Sequence, residues 1–205
     1  TPDAGQVVAE PAERAPRGEQ VTFSWRGGHP AIDAPRGGTL VRVQQRTGDG
    51  WKTVTTDDDV LDTTRLKDGV WTETLQLDEC FPTGTMRFLV TGRADRGKGA
   101  APYEVASRSF VVEPIKLRAR PARVSRTGVV TVEAQYPELA AKSLVSFRRA
   151  VVTGRARVRL AKRGRRKART VVARPKEAKG TMEVRVPRGS KAKLLGVRDA
   201  CGNTT

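Results

Sequence analysis

The fold of this chain is decided by the stretch Arg17-Gly-Glu-Gln-Val-Thr-Phe-Ser-Trp-Arg-Gly-Gly-His-Pro30, with Thr47-Gly-Asp-Gly-Trp51 shortly after it. Within the stretch, Val21–Trp25 alternates apolar and polar residues, as a half-buried β-strand requires. The Gly-Gly-His-Pro sequence predicts a loop, and the Gly-Asp-Gly sequence predicts a tight turn between two further strands. The stretch therefore predicts consecutive antiparallel strands.

Short β-patterned runs continue to residue 112, and glycine-rich turn signals separate them. The predicted strands of this half are Val21–Trp25, Thr39–Arg46, Trp51–Thr56, Val70–Leu77, Thr85–Thr91 and Ser107–Val112. Such a series of short alternating runs is typical of an immunoglobulin-like β-sandwich, which we predict over residues 19–113. The proline-containing segment 1–18 is predicted to be a linker that arrives from an upstream domain.

The second half has the same kind of pattern without repeating the sequence of the first. Its predicted strands are Ile115–Ala119, Val129–Tyr136, Leu144–Val152, Ala156–Lys162, Ala168–Arg174, Thr181–Val186 and Ala192–Arg198. We predict a second, basic immunoglobulin-like β-sandwich over residues 114–205. The expected fold class is all-β, with two consecutive immunoglobulin-like β-sandwich domains.

Charge is unevenly divided between the two halves. Residues 1–113 hold 14 Lys and Arg against 17 Asp and Glu, whereas residues 114–205 hold 25 against 5. Such asymmetry predicts two modules with different partners, the second of them facing something anionic. No apolar run in the sequence is long enough to span a bilayer.

The densest positive charge is a basic tip between two predicted strands. Its charged residues are Lys162, Arg163, Arg165, Arg166, Lys167 and Arg169. This basic tip could attract an anionic lipid surface, an anionic cell-wall polymer or nucleic acid. Nucleic acid is the least favoured of the three, because no aromatic side chain for base stacking adjoins the run. A solvated arginine-rich surface without a dedicated partner stays open as well.

Several motifs between residues 12 and 112 stand in the order found in one family. Besides the opening stretch they are Trp71, Pro82-Thr-Gly-Thr-Met-Arg87 and Ser107-Arg-Ser-Phe-Val-Val112. With these motifs the region resembles the C-terminal, immunoglobulin-like domain of the neutral/alkaline non-lysosomal ceramidases. That family consists of extracellular or membrane-associated zinc amidohydrolases that cleave the amide of ceramide. This sequence departs from the family pattern at Ala31-Ile-Asp33 and at Met86, where a tyrosine is common.

The resemblance implies a catalytic domain before Thr1, which would carry the family's zinc-binding histidines and nucleophilic serine. No segment of this chain matches them, so the chain alone is expected to hold no catalytic residue, no metal and no cofactor. His29 is its only histidine, whereas a zinc site recruits several ligands. Two roles remain for Gly27, Gly28, His29 and Pro30: a sharp turn, or a loop that docks on the catalytic domain.

The two cysteines, Cys80 and Cys201, lie one in each half of the chain. They form either a disulfide that joins the halves or two separate thiols, and the sequence does not test the geometry that a bridge needs. The extracellular setting that the resemblance implies favours the bridge, because disulfides persist in oxidising compartments.

Two further groups have both a functional and a structural interpretation. Asp57–Asp59 with Asp62 could bind calcium, but their spacing fits no recognised loop, so a solvated turn is favoured. Trp25, Trp51 and Trp71 could form a sugar-binding platform, but their placement in alternating strands favours packing in the core.

The leading hypothesis is a non-catalytic C-terminal region of a secreted bacterial neutral ceramidase-like hydrolase. The parent enzyme would hydrolyse the N-acyl bond of ceramide to a fatty acid and sphingosine. The first sandwich would support the catalytic domain, and the second would favour anionic membrane or cell surfaces. The alternative is a free-standing extracellular adhesion or cell-wall/polysaccharide-binding protein. Both hypotheses place the protein outside the cell or at the bacterial cell surface.

Overall fold

The computed structural model describes residues 5–27, 40–55, 65–93, 102–136, 154–162, 168–175 and 181–205. All of the regular structure in these ranges is β-strand, so the prediction of an all-β fold is confirmed. The chain divides between Glu113 and Pro114 into two compact units, here called the first unit and the second unit. Within the described ranges there is no helix that could cross a membrane.

The first unit is a β-sandwich. Its described strands are β1 (Gln6–Ala9), β2 (Arg14–Pro16), β3 (Gln20–Arg26), β4 (Leu40–Thr47), β5 (Gly50–Thr55), β6 (Arg65–Lys67), β7 (Val70–Gln76), β8 (Gly84–Arg93), β9 (Pro102–Ala106) and β10 (Phe110–Glu113). One sheet has the order β1-β3-β7-β6, and the other has the order β2-β10-β8-β4-β5 with β9 paired to β8. The apolar faces of both sheets contribute to one buried cluster, which is the core of the sandwich.

A row of stacked aromatic rings joins the two sheets of the first unit. It runs from Trp71 to Trp25 and Phe23 in the four-stranded sheet, and on to Phe88 and Phe110 in the other sheet. The centroids of successive rings are 6.2, 5.4, 5.5 and 5.6 Å apart. All five side chains are buried. The core role predicted for Trp25 and Trp71 is therefore confirmed.

Residues 1–18, predicted to be a linker, contribute two strands to the first unit. Strand β1 pairs antiparallel with β3, and β2 pairs parallel with β10. Ala15 is buried in the core, and the Nε atom of Arg17 donates a hydrogen bond to the carbonyl oxygen of Phe81 at 2.6 Å. Pro16 is compatible with a strand because β2 lies at a sheet edge, where a missing N–H is tolerated.

Further details of the first unit differ from the predicted strands. Strands β6 and β9 were not predicted, and β10 begins at Phe110 instead of Ser107. Ser107 lies between β9 and β10, where its N–H donates to the carbonyl oxygen of Phe88 at 3.0 Å and its Oγ accepts from the N–H of Phe88 at 2.9 Å.

The sequence Lys67-Asp-Gly69 predicts a turn, and the structure confirms it. Asp68 and Gly69 have φ values of 51° and 72° between the paired residues Lys67 and Val70, as a two-residue type I′ hairpin requires.

The second unit is built on one continuous sheet. Its described strands are β11 (Arg118–Ala119), β12 (Arg123–Val124), β13 (Val129–Gln135), β14 (Gly154–Lys162), β15 (Arg169–Pro175), β16 (Thr181–Arg185) and β17 (Ser190–Asp199). The sheet has the order β11-β13-β16-β15-β14-β17, with β12 paired to β13. Buried residues from β13 and β14, which are separated by two strands in this order, belong to one cluster, so the sheet curls around a shared core.

Strand β15 accounts for this curling, because it changes partner along its length. Its residues Arg169 to Ala173 pair with β14, whereas Arg174 and Pro175 pair with β16. The predicted strand Leu144–Val152 lies outside the described residues. The all-β class of the second unit is confirmed, and its immunoglobulin-like topology stays a prediction.

Candidate interaction surfaces

The two ends of the predicted basic tip lie on neighbouring strands. Lys162 is the last residue of β14, Arg169 is the first residue of β15, and Arg169 pairs with Leu160. Because β14 and β15 are antiparallel and consecutive, they form a hairpin. Arg163, Arg165, Arg166 and Lys167 lie outside the described residues, so the part they play in binding stays a prediction.

Strand β14 extends the positive charge from the tip along one face of the sheet. Arg155, Arg157 and Arg159 are exposed, whereas Ala156, Val158 and Leu160 between them are buried. This strict alternation follows from the period of two along a strand. The neighbouring strand β17 places Lys191, Lys193 and Arg198 on the same side. We call the six residues Arg155, Arg157, Arg159, Lys191, Lys193 and Arg198 the basic face.

Like charges lie directly opposite each other across the basic face. Arg155 pairs with Arg198, and Arg159 pairs with Lys193, in the register of β14 and β17. Like charges at directly opposed positions of an antiparallel pair are destabilising. The fold therefore carries an electrostatic cost at this face that a bound anion would relieve.

The described carboxylates of the second unit are not paired with residues of the basic face in the register of β14 and β17. Glu133 forms an ion pair with Arg120 at 3.1 Å on another part of the sheet. Asp199 is buried and accepts hydrogen bonds from Tyr136 and Asn203. Glu183 lies on β16, opposite Arg174. The ion pair of Glu133 with Arg120 thus lies outside the basic face.

Sequence reasoning found the tip and missed the basic face. The alternation of arginine with apolar residues from Arg155 to Leu160 was visible in the sequence and predicted a half-solvated strand. The contribution of β17 was not visible, because it depends on a pairing between segments that are far apart in the chain.

Trp51 differs from the other two tryptophans and corrects the core interpretation. Its side chain is half-buried, and it lies on β5 at the edge of the six-stranded sheet. The guanidinium carbon atoms of Arg87 and Arg46 lie 4.4 and 5.5 Å from the centroid of its ring, as in cation–π contacts. Arg87 also donates from Nε to Oε1 of Gln44 at 2.9 Å. Because β5 is an edge strand, this ring packs beneath arginines and not in the core.

The proposed docking loop begins where β3 ends. Gly27 directly follows this strand and has a φ of 106°, a conformation that favours glycine. Gly28, His29 and Pro30 lie outside the described residues, so the docking role of this loop stays a prediction.

Each cysteine lies in a turn of its own unit. Cys80 is exposed shortly after β7, and its N–H donates to Oδ1 of Asp78 at 2.8 Å. Cys201 is half-buried directly after β17. The pairing of these two residues stays a prediction.

The described residues contain no cluster of three or more His, Cys, Asp or Glu side chains that could hold a metal ion. Asp57–Asp59 and Asp62 lie outside the described ranges, so the solvated turn favoured for them stays a prediction.

Comparison with known proteins gives a family for the first unit. The model of the C-terminal domain of the neutral/alkaline non-lysosomal ceramidases matches residues 2–112, which is more than half of the chain. No curated protein matches the chain at a significant level.

Among the solved structures that are similar to the chain are two ceramidases and one set of extracellular domains. The neutral ceramidase from Pseudomonas aeruginosa is 25% identical over 54% of this chain and 19% of that chain, with a TM-score of 0.42. A ceramidase complexed with C2 is 22% identical over 55% and 19% of the two chains, with a TM-score of 0.44. Extracellular domains 3–5 of Drosophila OTK are 13% identical over 100% and 64%, with a TM-score of 0.35.

The chain thus spans about a fifth of the length of the ceramidases that it matches. The alignments with these ceramidases cover 54% and 55% of this chain. The family model shows which residues match, namely 2–112. On the match over residues 2–112, this chain belongs to the neutral/alkaline non-lysosomal ceramidase family, through the C-terminal domain of that family.

Proposed function

We propose that this chain is the non-catalytic C-terminal region of a secreted bacterial ceramidase-like hydrolase. The observation that supports this most strongly is the family match over residues 2–112, which covers nearly the whole first unit. The parent would hydrolyse the N-acyl bond of ceramide in a zinc-assisted reaction. We assign no step of that reaction to this chain, because the described residues offer no cluster for the metal.

The first unit is proposed to support the catalytic domain of the same protein. Its contact would include the loop Gly27–Pro30, which leaves the sandwich at the end of β3. The stacked aromatic core makes this unit a rigid platform for such a contact. The replacement His29→Ala should weaken association with a separately produced catalytic domain. Asp49→Ala, in the exposed turn between β4 and β5, is the matched control and should leave association unchanged.

The second unit is proposed to hold the enzyme at anionic membrane or cell surfaces. Both the basic tip and the basic face support this role, because closely spaced cations raise the local concentration of anionic partners. Such a role suits an enzyme whose substrate lies in a bilayer, and it agrees with the proposed location outside the cell or at its surface.

The non-catalytic assignment is tested with the purified 205-residue chain and a fluorescent ceramide, in the presence of zinc. We expect no release of fatty acid above the level of a buffer blank, and robust amidase activity would refute the assignment. A characterised ceramidase serves as the positive control for substrate and assay. Activity that appears only after the catalytic domain is added would agree with the proposal.

A further inference from the structure

Two exposed apolar side chains lie among the cations of the basic face. Val172 on β15 is 43% exposed and pairs with Arg157 on β14. Leu195 on β17 is 46% exposed, and it lies at the β-bulge between Leu194 and Gly196. Because Leu194 packs against the core, Leu195 belongs to the opposite face of the sheet. Arg157 is therefore flanked by apolar side chains on both neighbouring strands.

The bulge lets Leu195 share this face with Arg198, because strict alternation along β17 would put residues 195 and 198 on opposite faces. Gly196 pairs with Arg157 and Leu194 pairs with Val158, so Leu195 is the extra residue on β17. Bulges commonly redirect a side chain near a functional site. The extra residue lets Leu194 lie opposite the buried Val158 while Gly196 lies opposite the exposed Arg157.

A concave site accompanies the cations at one end of this face. A pocket of about 540 Å³ is lined by Gly154, Arg155, Pro175, Arg198, Asp199 and Ala200. Arg155 and Arg198 are one of the two like-charged pairs described above. The Asp199 carboxylate already accepts hydrogen bonds from Tyr136 and Asn203. The two arginines suit a phosphate group, because arginine binds phosphate oxygens with paired hydrogen bonds.

This combination of features favours a bilayer over a dissolved polyanion. The headgroup region of an anionic membrane accepts cations at the phosphates and apolar side chains just below them. A linear polyanion such as nucleic acid would neutralise the cations but would gain nothing from Val172 and Leu195. It would usually also meet aromatic side chains for stacking, and the described residues of this face include none.

We propose that the sheet β15-β14-β17 docks the second unit on anionic lipid bilayers through this face. Val172 and Leu195 enter the interface, the basic face contacts headgroup phosphates, and the pocket at Arg155 and Arg198 receives one phosphate group. The inference rests on the proposed attraction of the second unit to anionic surfaces, and it adds the residues and the lipid that provide it.

The test is co-sedimentation of the full chain with phosphatidylcholine vesicles, made with or without phosphatidylglycerol, at low and high salt. The variant Val172→Thr/Leu195→Thr places β-branched side chains, which suit strands, at both positions but removes apolar surface, and it should bind anionic vesicles about tenfold more weakly. The variant Arg157→Gln/Arg159→Gln should bind about 30-fold more weakly and should depend less on salt.

Matched controls separate this face from charge and apolar surface elsewhere. Leu66→Thr replaces an apolar residue of the first unit that is 46% exposed, and Arg118→Gln removes a positive charge on β11. Both should bind like the unchanged chain. Thermal unfolding of every variant checks that lost binding does not reflect lost folding.

Each alternative outcome has a different meaning. If only the arginine variant loses binding, the docking face is wrong and the charge-based attraction of the proposed function survives. If the unchanged chain does not distinguish the two kinds of vesicle, the proposed attraction fails as well. The chain could instead bind duplex DNA as tightly as vesicles, with no effect of Val172→Thr/Leu195→Thr. That result would show that the partner of this face is a polyanion and not a bilayer.

Discussion

The ring of Phe23 stacks on the ring of Phe88 across the two sheets of the first unit, with centroids 5.5 Å apart and ring planes 13° from parallel. Both side chains are fully buried, and they link the tryptophans of one sheet to Phe110 of the other. This contact holds together the two sheets of the sandwich, and both sheets lie in the part of the chain that matches the ceramidase family.

The replacement Phe88→Ala should destabilise the first unit by about 3–5 kcal/mol, because it removes a buried ring and leaves a cavity between the sheets. Urea unfolding followed by tryptophan emission measures the loss, since all three tryptophans lie in the first unit. Val8→Ala, at a side chain that is 47% exposed, is the control and should change stability by less than about 0.5 kcal/mol. An equal effect of the two replacements would contradict the structure.

In the second unit, Asn203→Ala should loosen the C-terminal turn. The Oδ1 atom of Asn203 accepts from the N–H of Ile115 at 2.9 Å, and its Nδ2 donates to Oδ2 of Asp199 at 2.7 Å. Loss of both bonds takes its acceptor from the buried N–H of Ile115 and removes one of the donors to Asp199, at a cost of about 1–3 kcal/mol. Hydrogen exchange read by mass spectrometry should show faster exchange of the Ile115 and Leu117 amides. The control Thr127→Ala, at an exposed turn, should leave the protection of both amides unchanged. Unchanged protection in Asn203→Ala would contradict the role given to the Asn203 side chain.

The contact between Arg87 and Trp51 should appear as a coupling energy. A double-mutant cycle with Arg87→Met and Trp51→Leu should give about 0.5–1 kcal/mol of interaction, as expected for a partly solvated cation–π pair. Replacing Lys52, which is exposed on the same strand, with Met provides a comparison cycle with no expected coupling. Additive effects of Arg87→Met and Trp51→Leu would show that the ring and the guanidinium group do not interact.

The proposed bridge between Cys80 and Cys201 is tested by alkylation of the denatured chain. Without reductant we expect neither cysteine to be alkylated, and after reduction we expect both. The variant Cys80→Ser is the control, because it should leave Cys201 reactive without reductant. Two alkylated cysteines in the unreduced chain would show that the thiols are separate.

The sequence predicted the strands whose alternation is strict, such as β7 and β14, because one face of each is buried and the other is solvated. It did not reveal β1 and β2. Prolines made that segment resemble a linker. In addition, β2 pairs with β10, which lies far along the chain, so the sequence near β2 does not show the pairing. Trp51 was misjudged for a related reason, since alternation alone does not show that a strand lies at a sheet edge.

The candidate surfaces show the same limit. Charge density in the sequence pointed to the basic tip, which is a local feature. The opposition of Arg155 to Arg198 and the bulge at Leu195 both depend on the register between β14 and β17. Register between distant segments is set by packing of the whole sheet, and the sequence of either strand alone does not contain it.

The measurement that tests the central claim most directly is the complete reading frame that encodes Thr1. The account predicts an upstream segment of several hundred residues with the histidine-rich zinc site and serine nucleophile of a ceramidase-like catalytic domain. A secretion signal placed directly before Thr1, with no further domain, would contradict it and would favour a free-standing protein of adhesion or cell-wall binding.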